Sequence, residues 1–238
     1  MKNLRPLFQR HLVPILFSLV LAITPLSALA DLNFLAPGQP DAATLLAPPP
    51  LIDSAEQAAD MDEVRAVYHA AGNNDIAVAY SEKKFTVFNF TAAVGAFFVE
   101  TNLPKTDAFF KKVQTDAETV TDLGKDYFHR PRPYFTDTNL INGKLEKSFS
   151  YPSGHSTESM VLALVLAEAV PGQHDAIIAQ ARQIGWHRVQ IARHYPTDIY
   201  AGRVLAQAIV RELNKSDAFQ KELAEVRAEI EAARKMTG

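Results

Sequence analysis

Phe109, Phe110, Val113, Ala117, Val120 and Leu123 recur at steps of three and four residues. That spacing lays them along one side of an α-helix and along no single face of a strand. Pro131 and Pro133 end the pattern, because proline removes a backbone donor and clashes with the preceding turn. The rest of the chain is punctuated in the same way. Ser54, with Gln57 three residues on, resembles a capping box that opens a helix ending near Gly72. A helix from about His155 stops at Pro171-Gly172, another covers about Asp175–Ala192, and Pro196 opens one reaching Leu213. Ser216 begins a charged terminal helix through about Arg234. Phe85, Phe88, Val94 and Phe98 suit a buried helix, although their aromatic density leaves a strand open. Residues from Pro131 to about Tyr151 read as loop. The expected fold class is all-α, a single compact helical bundle domain.

The first thirty residues read as an address. Lys2, Arg5 and Arg10 precede the apolar run Leu12–Ala22, and Ala28-Leu29-Ala30 places small residues where a signal peptidase reads them. Cleavage is predicted after Ala30, with a periplasmic or secreted product. Residues 31–52, with Pro37, Pro40 and Pro48-Pro49-Pro50, form an extended Pro-rich arm, and 53–238 form the helical domain. The apolar stretches Phe85–Val99 and Met160–Val170 are too short to cross a bilayer and carry Asn89 and Glu168.

Composition narrows the chemistry. With 47% hydrophobic residues, the 238-residue chain is neither disordered nor fibrous. The absence of cysteine removes disulfides, thiolate metal sites and thiol nucleophiles, leaving His, Ser, Lys, Arg and carboxylates. Loss of the leader leaves 21 Lys+Arg against 27 Asp+Glu, a formal charge of −6. Such a balance argues against nucleic acid as a partner.

Three segments carry candidate chemistry. Lys125 and Arg132 stand seven residues apart, so the turn made by Pro131 must bring them together. Ser153-Gly154-His155 opens an apolar helix, where backbone N–H groups, a hydroxyl and an imidazole can meet an anion. Arg188 is followed by His194 and, four residues later, Asp198, a spacing that lets the carboxylate orient the imidazole. Taken singly, each has an ordinary structural explanation: a basic helix end, an N-cap and a salt-bridged corner.

Together they resemble the three-part signature of the type 2 phosphatidic acid phosphatase and vanadium haloperoxidase superfamily: Lys, six residues, Arg-Pro; then Pro-Ser-Gly-His; then Ser-Arg, five residues, His, three residues, Asp. Within it the chain is most similar to bacterial class A non-specific acid phosphatases, a likeness that includes the leader and the Leu46-Ala47-Pro48-Pro49-Pro50 arm. His187 departs from the pattern, standing where the family usually has Ser. The resemblance implies that His194 attacks phosphorus, that Asp198 orients it and that His155 protonates the leaving group. It also implies that Lys125, Arg132, Ser153, Gly154 and Arg188 hold the phosphoryl oxygens. Small phosphate monoesters would be the substrates, phosphate or vanadate the ligands, and a homo-oligomer the assembly. Three cations stand where many phosphoryl-transfer sites use metals, and no His-x-x-x-His pair or carboxylate cluster suggests a metal or other cofactor. His129 and His187 flank the motifs and are read as surface or packing residues, as are His69 and His174. Vanadate-dependent halide oxidation and a catalytically silent phosphate-binding module remain the alternatives, and a lipid phosphate phosphatase is disfavoured by the short apolar stretches.

Overall fold

A computed structural model describes residues 32–237, so the predicted signal peptide lies outside the described residues. The elements are α1 (Ala42–Leu45), α2 (Ala55–Ala70), α3 (Asn73–Ser81), α4 (Thr91–Val94), α5 (Pro104–Phe128), α6 (Pro133–Thr136), α7 (Gly154–Ala169), α8 (His174–Gln190), α9 (Pro196–Leu213) and α10 (Asp217–Thr237), with 3₁₀ turns between several of them. Among the described residues there is no strand, as the helical periodicity predicts.

The apolar helix α7 forms the centre. Val161, Leu162, Ala163, Val165 and Leu166 are fully buried in a segment with no polar face, so it must be enclosed on all sides. It packs on α5, α8 and α9, while α10 crosses α5 and touches α7. Helix α5 buries the predicted stripe from Phe109 to Val120. Leu123, which the spacing assigns to that stripe, is exposed. The inward position one residue on is Gly124, against which Ala42 and Pro152 close to 3.1 Å of where a Cβ would stand.

The arm is tied down at its start. Asp116, fully buried on α5, accepts backbone N–H bonds from Asn33 (2.7 Å), Phe34 (2.8 Å) and Leu35 (3.1 Å). Phe34 then packs on Phe109 and Phe219, joining the arm to α5 and α10. Each such ring pair contributes about 0.5–1.5 kcal/mol beyond its buried area. The Pro-rich stretch is not extended throughout, since α1 interrupts it with one helical turn capped by Asp41.

Besides α1 and the short turns α6 and Thr138–Leu140, which lie in the stretch read as loop and form where Pro133 and the Asp137 cap favour a helical turn, two elements differ from the sequence reading. The Phe85–Phe98 segment is a 3₁₀ turn over Val87–Phe90 followed by the single turn α4, rather than a long helix or a strand. Gly95, at φ 132°, stops it in a conformation closed to other residues. The second difference is α3. Gly72 does not merely end a helix; it starts another, where the Asp75 carboxylate accepts its N–H at 3.0 Å. Helix α3 packs on α8 and ends beside the candidate site.

Candidate active site

The N-terminus of α7 is the anchor of the site. Ser153 is its N-cap, with Oγ accepting from Ser156 N at 3.4 Å, and Ser153 N donates to the Asp198 carbonyl at 3.1 Å. The close approach of α9 requires glycine. A Cβ on Gly202 would stand 2.9 Å from the Ser153 carbonyl oxygen and 3.1 Å from Thr157 N. Lys125, in the last turn of α5, reaches over the start of α7. Its Nζ lies 3.3 Å from where a Cβ of Gly154 would be, and it pairs with Asp122 at 2.8 Å. An ammonium, a helix N-terminus and a bare backbone therefore converge where an anion can be received.

Asp198 occupies the first turn of α9 and is fully buried. Its Oδ2 accepts from Ser150 Oγ (2.5 Å) and Tyr195 N (2.8 Å), and its Oδ1 from Arg130 Nη1 (2.6 Å). His194 Nδ1 lies 3.4 Å from both Asp198 Oδ2 and Ser150 Oγ. On its other side, His194 Nε2 stands 3.2 Å from Arg132 Nη1. A guanidinium can only donate, so Nε2 is the bare nitrogen and Nδ1 carries the proton. Burial and the Arg132 cation push the His194 pKa well below the ordinary imidazole value, which keeps the ring neutral.

Arg132 has every donor engaged. Nε bonds the Ser148 carbonyl (2.9 Å), Nη1 the Arg193 carbonyl (3.0 Å) and His194, and Nη2 Ser148 Oγ (2.9 Å) and the Glu146 carboxylate (2.7 Å). Five N–H groups have five partners. Burial works against the charge of Glu146, yet Arg132, Arg193 and Arg188 hold its carboxyl below the usual range. Among the described residues it is the anion paired with Arg132, and it is itself partly exposed, so any other anion reaching Arg132 would have to displace it.

His155 and Arg188 line a cavity of about 370 Å³ together with Tyr80, Lys83, Glu146 and Arg193. Both lean on the end of α3. His155 Nε2 donates to the Glu82 carbonyl (3.2 Å) and Arg188 Nη1 to the Ala79 carbonyl (2.8 Å). Burial, with the Arg188 and Lys125 charges, pushes the His155 pKa well below the ordinary value. Arg188 itself is pulled down to about 10, chiefly by burial, and remains a cation.

The structure thus brings Lys125, Arg132, Ser153, Gly154, His155, Arg188, His194 and Asp198 into one region. Ser153 Oγ accepts the Ser156 N–H as a helix cap, which leaves its hydroxyl proton to donate. His129 stands exposed at the end of α5, in the left-handed region at φ 52°, with its ring on Phe149. His187 packs against Glu82, and His69 and His174 are exposed. Sequence reasoning missed Arg130, which bonds Asp198, Thr197, Gln57 and Asp60 and stacks on Tyr195 at 3.9 Å. Burial opposes its charge, but the Asp198 and Asp60 carboxylates raise its pKa above the ordinary value. Its place two residues before Arg132 was the available signal. Ser150, Glu146 and Glu82 were also missed, and they carry no local signal.

A helical bundle that gathers two imidazoles and three cations beside one helix N-terminus is the arrangement expected of a PAP2-type phosphatase. Comparison with known proteins agrees. The PAP2 superfamily model matches residues 115–218. The chain is 30% identical over 195 residues to a non-specific acid phosphatase of Salmonella typhimurium, covering 78% of each protein. It is also 30% identical over 199 residues to an acid phosphatase of Zymomonas mobilis, covering 79% of this chain and 75% of that one. The fold resembles the crystal structure of a transmembrane PAP2-type phosphatidylglycerolphosphate phosphatase from Bacillus subtilis. That match has a TM-score of 0.51 and 19% identity, and covers 73% of this chain and 89% of that one. Among the described residues no helix is long and apolar enough to cross a membrane. The chain belongs to the non-specific acid phosphatases of the PAP2 superfamily and is a phosphoric monoester hydrolase.

Proposed function

We propose that the enzyme hydrolyses small phosphate monoesters through a phosphohistidine on His194, without a metal ion. The observation that carries this reading is the bare His194 Nε2 held against Arg132 while Asp198 and Ser150 engage Nδ1. In the first half-reaction the Nε2 lone pair forms a bond to phosphorus as the ester P–O bond breaks, and His155 gives its proton to the departing alkoxide. The positive charge that develops on His194 is met by Asp198. In the second, His155 takes a proton from water, whose oxygen attacks phosphorus and releases His194 and inorganic phosphate.

Lys125, Arg132, Arg188 and the Gly154 amide offset the charge on the phosphoryl oxygens, the task a metal performs elsewhere. Among the described residues, no three His, Asp or Glu side chains gather as metal ligands. The tetrahedral, anion-binding character of such a cup also suits vanadate as an inhibitor. Export to the periplasm after cleavage at Ala30 and homo-oligomer assembly complete the proposal.

The test is rapid quench into base with labelled p-nitrophenyl phosphate. Wild-type protein treated with EDTA is expected to yield a base-stable, acid-labile phosphoenzyme that His194→Ala lacks. Turnover near the wild-type rate in His194→Ala, or loss on chelation restored by a divalent cation, refutes the mechanism.

A further inference from the structure

We propose that Glu82 positions His155 for proton transfer, and that His187 holds Glu82 in the place where it can do so. The inference rests on the assignment of His155 as the proton donor. Glu82 caps the C-terminus of α3, is buried, and uses both of its polar ends on the site. Its carbonyl accepts from His155 Nε2 at 3.2 Å, and its carboxylate Oε2 lies 2.8 Å from His187 Nδ1. The next residue on α8, Arg188, grips the preceding turn of α3 through the Ala79 carbonyl. The last turn of α8 thus fastens the end of α3 at two points, and the end of α3 holds the ring on α7.

That contact decides which nitrogen works. A carbonyl oxygen only accepts, so His155 keeps a proton on Nε2 in both protonation states, and Nδ1 is the atom that gives and regains the transferred proton. His194 is tied the opposite way, through Nδ1, leaving Nε2 for phosphorus. The carbonyls at a helix C-terminus also carry partial negative charge, which favours the imidazolium. Arg188 on α8 and Lys125 on α5 act against that charge, neutral His194 stands before α9, and the Phe85 ring covers one side at 5.6 Å. A displaced Glu82 carbonyl would therefore leave His155 among cations with nothing to fix its tautomer. His187 stands at the position where the family signature carries Ser. A serine side chain is one bond shorter and ends short of the Glu82 carboxylate.

The experiment measures kcat/KM on the full chain for aryl and alkyl phosphates spanning leaving groups from 2,4-dinitrophenol to simple alcohols. General acid catalysis protects poor leaving groups most, so loss of positioning steepens the dependence on leaving-group pKa. His187→Ala, His187→Ser and Glu82→Ala are expected to lose about 10- to 100-fold on alkyl phosphates and under about 3-fold on 2,4-dinitrophenyl phosphate, a part of the roughly 100- to 10,000-fold that one acid–base group supplies. His187→Gln, which retains a donor toward Glu82, is expected to recover most of the loss. A uniform loss across the series, or a raised KM with unchanged slope, overturns the proposal and assigns the pair to structure alone. Should one variant fail to fold, the others carry the same comparison. His155→Ala separates the two levels. If it leaves the slope unchanged, the proton-donor assignment fails; if it steepens the slope while the Glu82 and His187 variants do not, only the positioning proposal fails.

Discussion

Glu146→Gln isolates the charge that occupies the anion cup of the free enzyme. Glu146 Oε2 lies 2.7 Å from Arg132 Nη2, and every other N–H of that guanidinium is bonded to a neutral group. A charge-assisted bond of this length is worth about 1.5–3 kcal/mol when shielded from water. The Glu146 side chain is 43% exposed, so solvent screening reduces the figure to about 1–2 kcal/mol. A phosphoryl oxygen must break that bond to reach Arg132, and glutamine retains the shape without the charge. At 1.4 kcal/mol per tenfold, inorganic phosphate should bind Glu146→Gln about 5- to 30-fold more tightly. Because the surrounding cations hold the Glu146 carboxyl below its usual range, the difference should persist across mildly acidic pH. Competitive inhibition by phosphate against p-nitrophenyl phosphate gives the number. An unchanged or weakened inhibition constant in the variant would refute the idea that the carboxylate competes with substrate.

Two further predictions follow from buried titratable groups. On the proposed mechanism His155 must be protonated to serve the leaving group, and burial with Arg188 depresses its pKa, so the proton is lost as pH rises through a value below the ordinary imidazole range near 6.5. The kcat/KM for alkyl phosphates should therefore fall steadily from about pH 6 upward; a plateau extending to about pH 8 contradicts the assignment. Glu158 is pushed up to about 7 by burial, from an ordinary 4.5. Between those values the folded protein keeps a proton that the unfolded chain releases, so stability falls as pH rises, by roughly 3 kcal/mol in total. Glu158→Gln should accordingly melt several degrees higher than wild type at about pH 8 and at nearly the same temperature at about pH 4.5. Equal differences at the two pH values would exclude this cause.

Much of the site was legible because its parts are local patterns. The stripe from Phe109 to Val120, the proline at the start of α9 and the Ser153 cap each depend on residues within a few positions of one another. The three motifs inherit their roles from a family resemblance, and the structure brings their residues into one region. Helix α3 escaped because Gly72 serves two helices at once, and the 87–94 segment because aromatic burial does not specify a period.

What the sequence determined by itself is where most of the long helices begin or end, which of their faces are apolar, and which imidazoles and cations belong to the signature. Those properties are set by backbone geometry and hydrogen bonding over one or two turns. Tertiary structure alone decided that Glu146 sits on Arg132, that Arg130 joins Asp198 to Asp60, and that the end of α3 receives His155 and Arg188. Each of these contacts closes a long stretch of chain, and its energy exists only once the helices around α7 have packed. A carbonyl oxygen such as that of Glu82 is the same in every residue. Only its place in space makes it part of the site.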